Sequence, residues 1–175
     1  MSKLFNKARL IGLAVAALIF VVDQYIKSLM LGPLALREKG TIELIPFFDL
    51  TWAQNFGVSL GMFEATSPEM RWGLVAVTAL IAFIVFIWMM REKAFGDILG
   101  LSMILGGALG NIRDRFNLGY VVDYADLHIG TFRPFLIFNL ADAAITIGVL
   151  IILARAFFLR DKDDNEPAVE TATET

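Results

Sequence analysis

Cysteine is missing from this 175-residue chain, and His128 is its one histidine. The absence of cysteine excludes disulfide bonds, thiolate nucleophiles and cysteine-ligated metals. A catalytic metal usually needs several histidine or carboxylate ligands, and no His-Glu-x-x-His pattern occurs. We interpret His128, which lies close to Asp126 in the chain, as a solvated loop residue. We therefore expect a protein without a metal or another cofactor.

Three further patterns are absent. The chain has no Gly-x-Ser-x-Gly turn, no phosphate-binding loop and no basic stripe of the kind that binds nucleic acid. A serine nucleophile at Ser28 or Ser59, with Lys27 as its base, is conceivable, but no spacing supports it. The remaining candidate chemistry is that of carboxylates, and no nucleic-acid partner is expected.

Apolar residues, by contrast, are abundant: they make up 57% of the chain, and the mean hydropathy is +0.67. Ordinary soluble domains have an apolar share of roughly 45–50%. Four apolar segments predict helices able to cross the ~30 Å hydrocarbon core of a bilayer. We therefore predict an all-α integral membrane protein whose four transmembrane helices cover about residues 10–30, 71–90, 95–112 and 135–158.

The two ends of the chain carry opposite charges. Lys3, Lys7 and Arg9 precede the first apolar segment, which we interpret as a retained helix, so its amino end is expected in the cytoplasm. Four spans return the carboxyl end to the same side. Residues 161–175 hold six acidic residues and one lysine without apolar periodicity, which predicts a disordered cytoplasmic tail. Residues 1–160 then form a single membrane domain.

The connection between helices one and two has the pattern of short strands. Residues 41–44 and 49–52 alternate apolar and polar side chains, and Pro46 separates them. Trp52 and the nearby phenylalanines are typical of a membrane–water boundary. These observations predict a small β/amphipathic platform on the periplasmic face; the phenylalanines are Phe47, Phe48, Phe56 and Phe63.

Asp142 is an acidic residue inside an otherwise apolar segment. An aspartate in the middle of a membrane helix costs about 2.5–3.5 kcal/mol, so such a residue indicates a functional site. Asp123 is the best available partner, because a chain that turns back at Arg133 and Pro134 could bring the two carboxyl groups together. Two close carboxylates share a proton near neutral pH, so one can act as an acid and the other as a base in a hydrolytic reaction.

Other polar residues fall at a similar height. Asp23 and Lys27 are four residues apart and can pair on one helix face. The pair either offsets the cost of placing each charge in the membrane or shapes a functional site. Asn111 and Arg115 share a face of helix three if that helix continues far enough. At 1.5 Å per residue, Asp23 lies ~20 Å and Asn111 ~24 Å above the inner face, and Asp142 lies ~10 Å below the outer face of a ~30 Å core. All of these positions converge on the outer third of the membrane.

Five motifs occur in order along the chain: Asp23-Gln24 with Lys27, Asn55-x-Gly57-Val58-Ser59, Gly106-Gly107-Ala108-x-Gly110-Asn111 with Asp114-Arg115, Val121-Val122-Asp123, and Phe138-Asn139-x-Ala141-Asp142. In these motifs the chain resembles lipoprotein signal peptidase, the bacterial signal peptidase II family, over nearly its whole length up to about Arg160. The resemblance implies that Asp123 and Asp142 are the catalytic aspartates of a metal-independent endopeptidase.

The resemblance also implies a substrate and a location. The family's substrate is a prolipoprotein that already carries diacylglycerol on a cysteine, and the cut falls just before that cysteine. We accordingly expect a monomeric, multi-pass protein in the bacterial inner membrane, in contact with lipid, whose site lies near the periplasmic face. The residues implied to bind substrate are Asp23, Lys27, Asn55, Gly57, Asn111, Arg115 and Asn139.

One alternative of a different class stays open. Asp23, Lys27 and Asp142 could form the proton relay of a small proton-coupled carrier. Both interpretations explain charged residues within the membrane. They differ in the use of Asp123, because a relay does not need a carboxylate in an outer connection.

Overall fold

The computed structural model of the chain describes residues 6–57 and 67–158. Within these ranges, four helices are long and apolar enough to cross a membrane, as the sequence predicts. The predicted acidic tail, residues 161–175, and Ser59 lie outside the described residues. The four long helices are α1 (Lys7–Leu31), α3 (Pro68–Arg91), α4 (Phe95–Asn117) and α5 (Leu140–Phe158), and a short helix, α2 (Leu36–Lys39), follows α1.

Two of these helices begin at side chains that accept backbone hydrogen bonds. The Asn6 side chain accepts the N–H of Arg9 at the start of α1, and Ser67 accepts the N–H of Met70 before α3. Such caps satisfy N–H groups that have no partner inside the helix. Pro68 suits the first position of α3, where its missing N–H costs nothing.

The last helix begins five residues later than predicted, at Leu140 instead of residue 135. Phe138 is extended and exchanges two backbone hydrogen bonds with Ala125, of 2.8 and 3.1 Å. Pro134 also disfavours helical geometry in the residue before it. Asp142 therefore lies in the first turn of α5, only ~3 Å along the helix axis from its start, whereas a helix beginning at residue 135 would place it ~10 Å along. At the other boundary α4 runs past residue 112 to Asn117, so Arg115 is helical.

Helix α4 is central, since it packs against α1, α3 and α5. Glycines allow its backbone to approach two neighbours. A Cβ on Gly106 would lie 2.6 Å from the carbonyl oxygen of Ala16 in α1, and one on Gly107 would collide with the carbonyl oxygen of Ala141 in α5. The small-residue spacing in the sequence thus corresponds to close contacts on both sides of α4.

A three-stranded antiparallel sheet sits at one end of the bundle. Its strands are β1 (Thr41–Ile45), β2 (Phe48–Asn55) and β3 (Val121–Leu127), in the order β1-β2-β3. The first two strands confirm the predicted pair between helices one and two. The third strand adds to the prediction, because it comes from the connection between α4 and α5, for which no strand was predicted. The description as all-α with a platform between two helices is therefore incomplete.

A small apolar cluster fastens this sheet to the bundle. Met30 at the end of α1 and Leu36 in α2 are buried against Leu50 of β2 and Tyr124 and Ala125 of β3. The strand that carries Asp123 is thereby held over the helix ends by burial of apolar surface. Along the bundle, in contrast, large apolar side chains such as Leu18, Leu80 and Leu150 are exposed, as expected of a surface that faces lipid.

Candidate active site

Asn139 joins the two predicted catalytic aspartates. Its side-chain N–H groups donate to Asp123 Oδ1 at 2.6 Å and to Asn111 Oδ1 at 3.2 Å. Its side-chain oxygen accepts the backbone N–H of Asp142 at 2.9 Å, and the Asp142 carboxylate accepts the backbone N–H of Asn139 at 3.2 Å. This reciprocal pair is a capping box with aspartate in the place of glutamate. The start of α5 and the first residues of β3 are thus joined through the side chain of Asn139.

Asn111 makes the second link. Its side-chain N–H donates to Asp142 Oδ1 at 2.8 Å, while its oxygen accepts the Lys27 ammonium at 3.0 Å. Asp142 therefore receives hydrogen bonds from both asparagine residues and is only half-buried. Because its oxygens have fixed donors, its orientation is determined by α4 and by the start of its own helix.

Asp123 lies in a more enclosed position, with 3% of its surface exposed. Burial raises the pKa of its carboxyl, and the neighbouring charge of Asp142 raises it further. Hydrogen bonds from Asn139 and Asn55 and the charge of Lys27 act in the opposite direction, and the resulting pKa is about 7. Asp123 is therefore able to hold a proton near neutral pH while a coupled carboxylate lies beside it.

Arg115 connects the pair to the end of β2. Its Nη2 donates to the carbonyl oxygen of Gly57 at 2.6 Å, and the Gly57 N–H donates to the side chain of Asn55 at 3.1 Å. The guanidinium charge also acts on both Asp123 and Asp142. Within the described residues, Arg115 Nε is buried without a hydrogen-bond acceptor.

Two cavities lie against the aspartates. One of about 360 Å³ is bounded by Asp123, Asn55 and Gly57, and another of about 330 Å³ is bounded by Asp142, Phe138 and Thr146. Both are also lined by Phe135 and Leu136, which are exposed. Both cavities are mainly apolar. The segment that contains Phe135 and Leu136 borders both, one on the Asp123 side and one on the Asp142 side.

Asp23 and Lys27 do form the predicted ion pair, at 3.0 Å. They are 0% and 2% exposed and are not among the residues that line these two cavities. Their contact with substrate stays a prediction. Lys27 also pairs with Asp114 at 2.8 Å, and the Gln24 side chain donates to both acids. Asp114 and Gln24 were quoted in the sequence motifs without a role, because their partners lie on other helices.

The single histidine is not the solvated loop residue that the sequence indicated. His128 Nε2 lies 3.0 Å from Asp49 Oδ2, and its side chain is 14% exposed. The pairing of β2 with β3 brings Asp49 beside it, which the position near Asp126 could not indicate. Within residues 6–57 and 67–158, no group of three histidine or acidic side chains is arranged to hold a metal ion.

Comparison with known proteins decides the family. The family model described as signal peptidase (SPase) II matches residues 15–158. The chain belongs to the signal peptidase II family. A lipoprotein signal peptidase of Sphingopyxis alaskensis is 56% identical over 162 residues, which cover 91% of this chain and 94% of that protein. One of Rhizorhabdus wittichii is 55% identical, over 87% of this chain and 89% of that protein.

A solved structure agrees with the fold. A bacterial membrane enzyme determined at 2.3 Å resolution superposes with a TM-score of 0.73 at 26% identity, over 93% of this chain and 94% of that one. Together with the four apolar helices, family membership identifies a multi-pass protease of the bacterial inner membrane that processes lipoproteins. The resemblance found in the sequence motifs is confirmed.

Proposed function

We propose that this signal peptidase II works as an aspartic endopeptidase that cuts diacylglyceryl-modified prolipoproteins just before the lipidated cysteine. The observation that carries the proposal is the Asn139 side chain, which binds Asp123 and Asp142 at once. The side chain of Asn139 donates to the buried Asp123 carboxyl, and its backbone N–H donates to the half-buried Asp142 carboxylate, so one residue holds both groups of a pair suited to share a proton.

In the proposed reaction, Asp142 is the base and Asp123 holds the proton. The Asp142 carboxylate removes a proton from a water molecule, whose oxygen attacks the scissile carbonyl carbon. The Asp123 carboxyl donates a hydrogen bond to the carbonyl oxygen as charge develops there. The tetrahedral intermediate then collapses, the C–N bond breaks, and the departing amine takes a proton from the pair. The raised pKa of Asp123, about 7, supports this assignment.

The remaining polar residues have distinct roles in this proposal. Asn55 and Gly57, which line the cavity beside Asp123, bind the substrate backbone, and Arg115 positions Gly57 by donating to its carbonyl oxygen. Asn111 and Asn139 orient the aspartates. Diacylglycerol and the signal peptide supply apolar surface suited to the apolar walls of the cavities.

The position of the pair suits this substrate. Asp142 lies in the first turn of α5 and Asp123 on the sheet at the helix ends, so both are near one surface of the membrane. We place that surface on the periplasmic side and both termini in the cytoplasm, in agreement with the basic residues before α1. A lipid-anchored cysteine would hold the scissile bond at this level. Lipid and prolipoprotein are the proposed partners of a monomer, and membership in a peptidase family favours this function over the carrier alternative.

The test is cleavage of a purified diacylated prolipoprotein by the purified full-length chain in lipid. We expect release of the signal peptide by a cut before the lipidated cysteine, and no cut in the same precursor without the diacylglyceryl group. Activity is expected to survive a metal chelator. Equal cleavage of both precursors would refute the substrate assignment, and a loss on chelation that zinc restores would refute the aspartic mechanism.

A further inference from the structure

Lys27 sits between two carboxylates below the catalytic pair. Its ammonium lies 3.0 Å from Asp23 of the same helix and 2.8 Å from Asp114 of α4. The Gln24 side chain donates to both acids, at 3.1 and 3.0 Å, and also to the carbonyl oxygen of Gly110. Almost no solvent reaches Asp23, Lys27 or Asp114. The group is therefore a buried polar cluster of two acids, one lysine and one amide, which Asn111 connects to Asp142.

Each acid in this cluster also accepts one backbone N–H from a segment that carries a catalytic aspartate. Asp114 Oδ2 accepts the N–H of Val122 at 3.2 Å. Asp23 Oδ1 accepts the N–H of Ala141 at 3.1 Å. Val122 immediately precedes Asp123, and Ala141 immediately precedes Asp142. The two contacts therefore hold the chain one residue before each member of the pair.

Both N–H groups need an acceptor from outside their own element. Ala141 is the second residue of α5, where the N–H has no partner inside the helix, and a carboxylate is favoured at that end of the helix dipole. In the sheet, the registered partner of Val122 is Gln54, yet its N–H donates across to the helix bundle. The acids thus connect β3 and α5 to the same lysine.

We propose that Asp114 and Asp23 are positioning residues that set the separation of Asp123 and Asp142 through the Val122 and Ala141 N–H groups, with Lys27 holding the two acids together. This inference rests on the proposed function. Stability alone does not account for such a cluster, since replacing buried ion pairs by apolar side chains is often neutral or stabilising. Asp114 gains a role here that its sequence motif did not indicate.

The decisive experiment compares alanine with asparagine at these positions in the full-length protein. An asparagine side chain still offers an oxygen to the backbone N–H, whereas alanine does not. Turnover of a diacylated prolipoprotein is measured per binding-competent molecule, counted with a non-cleavable diacylated peptide. Asp97→Ala is the control, because Asp97 is a paired acid on the same helix as Asp114 and lies far from Asp123 and Asp142.

We expect Asp114→Ala to lower kcat about 100-fold, as misplacement by about 1 Å can, with KM nearly unchanged. Asp114→Asn should remain within about tenfold of the parent, since it retains the hydrogen-bond acceptor. The same contrast is expected between Asp23→Ala and Asp23→Asn, which keeps the test valid if one alanine variant fails to fold.

Two results would overturn the proposal. Equal losses in the alanine and asparagine variants would show that the acids act only by balancing the charge of Lys27. Full kcat per binding-competent molecule in an alanine variant, with only fewer such molecules, would show a purely structural role. If the parent itself fails to cleave, the proposed function fails; the positioning is then tested by backbone amide exchange, where Val122 should lose protection in Asp114→Ala and keep it in Asp114→Asn.

Discussion

The two ends of the helix bundle use the same kinds of charged residue in different ways. At the end opposite the aspartate pair, Asp97 of α4 binds Arg155 of α5 at 2.8 Å, and their side chains are 25% and 30% exposed. Arg9 of α1, which is 9% exposed, donates there to the carbonyl oxygen of Glu92 at 3.0 Å, so the contrast between the two ends rests on the Asp97–Arg155 pair. At the end that carries Asp123 and Asp142, the charged side chains of the Lys27 cluster are almost fully buried.

The difference in burial corresponds to a difference in what the charged side chains contribute. A half-exposed pair remains partly hydrated, and such pairs contribute about 0–1 kcal/mol to stability. Ions removed from water lose their hydration and are retained only when every oxygen and proton finds a partner. In the Lys27 cluster these partners include the backbone N–H groups of Val122 and Ala141, which immediately precede Asp123 and Asp142. The buried charges therefore hold a precise arrangement, whereas the exposed ones join two helix ends.

The largest effect is expected from the aspartate pair itself. Asp123→Asn and Asp142→Asn should each lower turnover about 1,000-fold or more, because an amide can neither remove a proton nor share one, and acid–base groups contribute about 10²–10⁴-fold. Cleavage of a diacylated prolipoprotein measures this, with correct insertion verified by thermal unfolding. Turnover within tenfold of the parent for either variant would contradict the mechanism.

The pH dependence should report the enclosed position of Asp123. Its folded-state pKa of about 7 lies above the ordinary value of 3.8, so the stability that the protonated form contributes is present at low pH and lost as the pH rises through about 7. If Asp123 supplies the proton, kcat should fall over the same range.

Asn139→Ala sharpens this prediction. It removes a hydrogen bond that lowers the Asp123 pKa, so the alkaline fall in kcat should move upward by about one to two pH units, given about 1.5–3 kcal/mol for a hydrogen bond to a charged group. Asn117→Ala, at an exposed asparagine that ends α4, is the matched control and should leave the profile unchanged. An unshifted profile in Asn139→Ala would argue against Asp123 as the proton donor.

A small effect is expected at the opposite end. Asp97→Ala should destabilise the protein by at most about 1 kcal/mol and leave kcat within about twofold, since the pair is half-exposed. Chemical unfolding in detergent and the cleavage assay measure the two quantities. A tenfold loss of kcat in a folded variant would remove the distinction between the two ends.

The smallest effect is expected from truncation after Lys162. Helix α5 runs from the aspartate pair to Phe158 at the opposite end, so residues beyond it begin a helix length of ~28 Å away. We predict nearly unchanged turnover at equal expression. A large drop would show that the tail reaches the catalytic end or supports the fold.

Local features of the chain were readable from the sequence. The four apolar segments follow from composition, and the Asp23–Lys27 pair follows from the four-residue spacing of a helix. Asp142 stood out because a carboxylate in apolar surroundings is costly. The neighbouring motifs were sufficient to indicate the family that the comparisons confirm.

Contacts between distant segments were decided by the tertiary structure. Phe138 pairs with Ala125 and delays the start of α5, and Asp49 meets His128 only because β2 pairs with β3. The bond from Val122 to Asp114 likewise joins a strand to a helix whose relative placement no local pattern contains. Sequence periodicity reports which residues share one face of one element. Which N–H group finds which carboxylate depends on how those elements pack, because a buried polar group takes whatever partner the fold brings within reach.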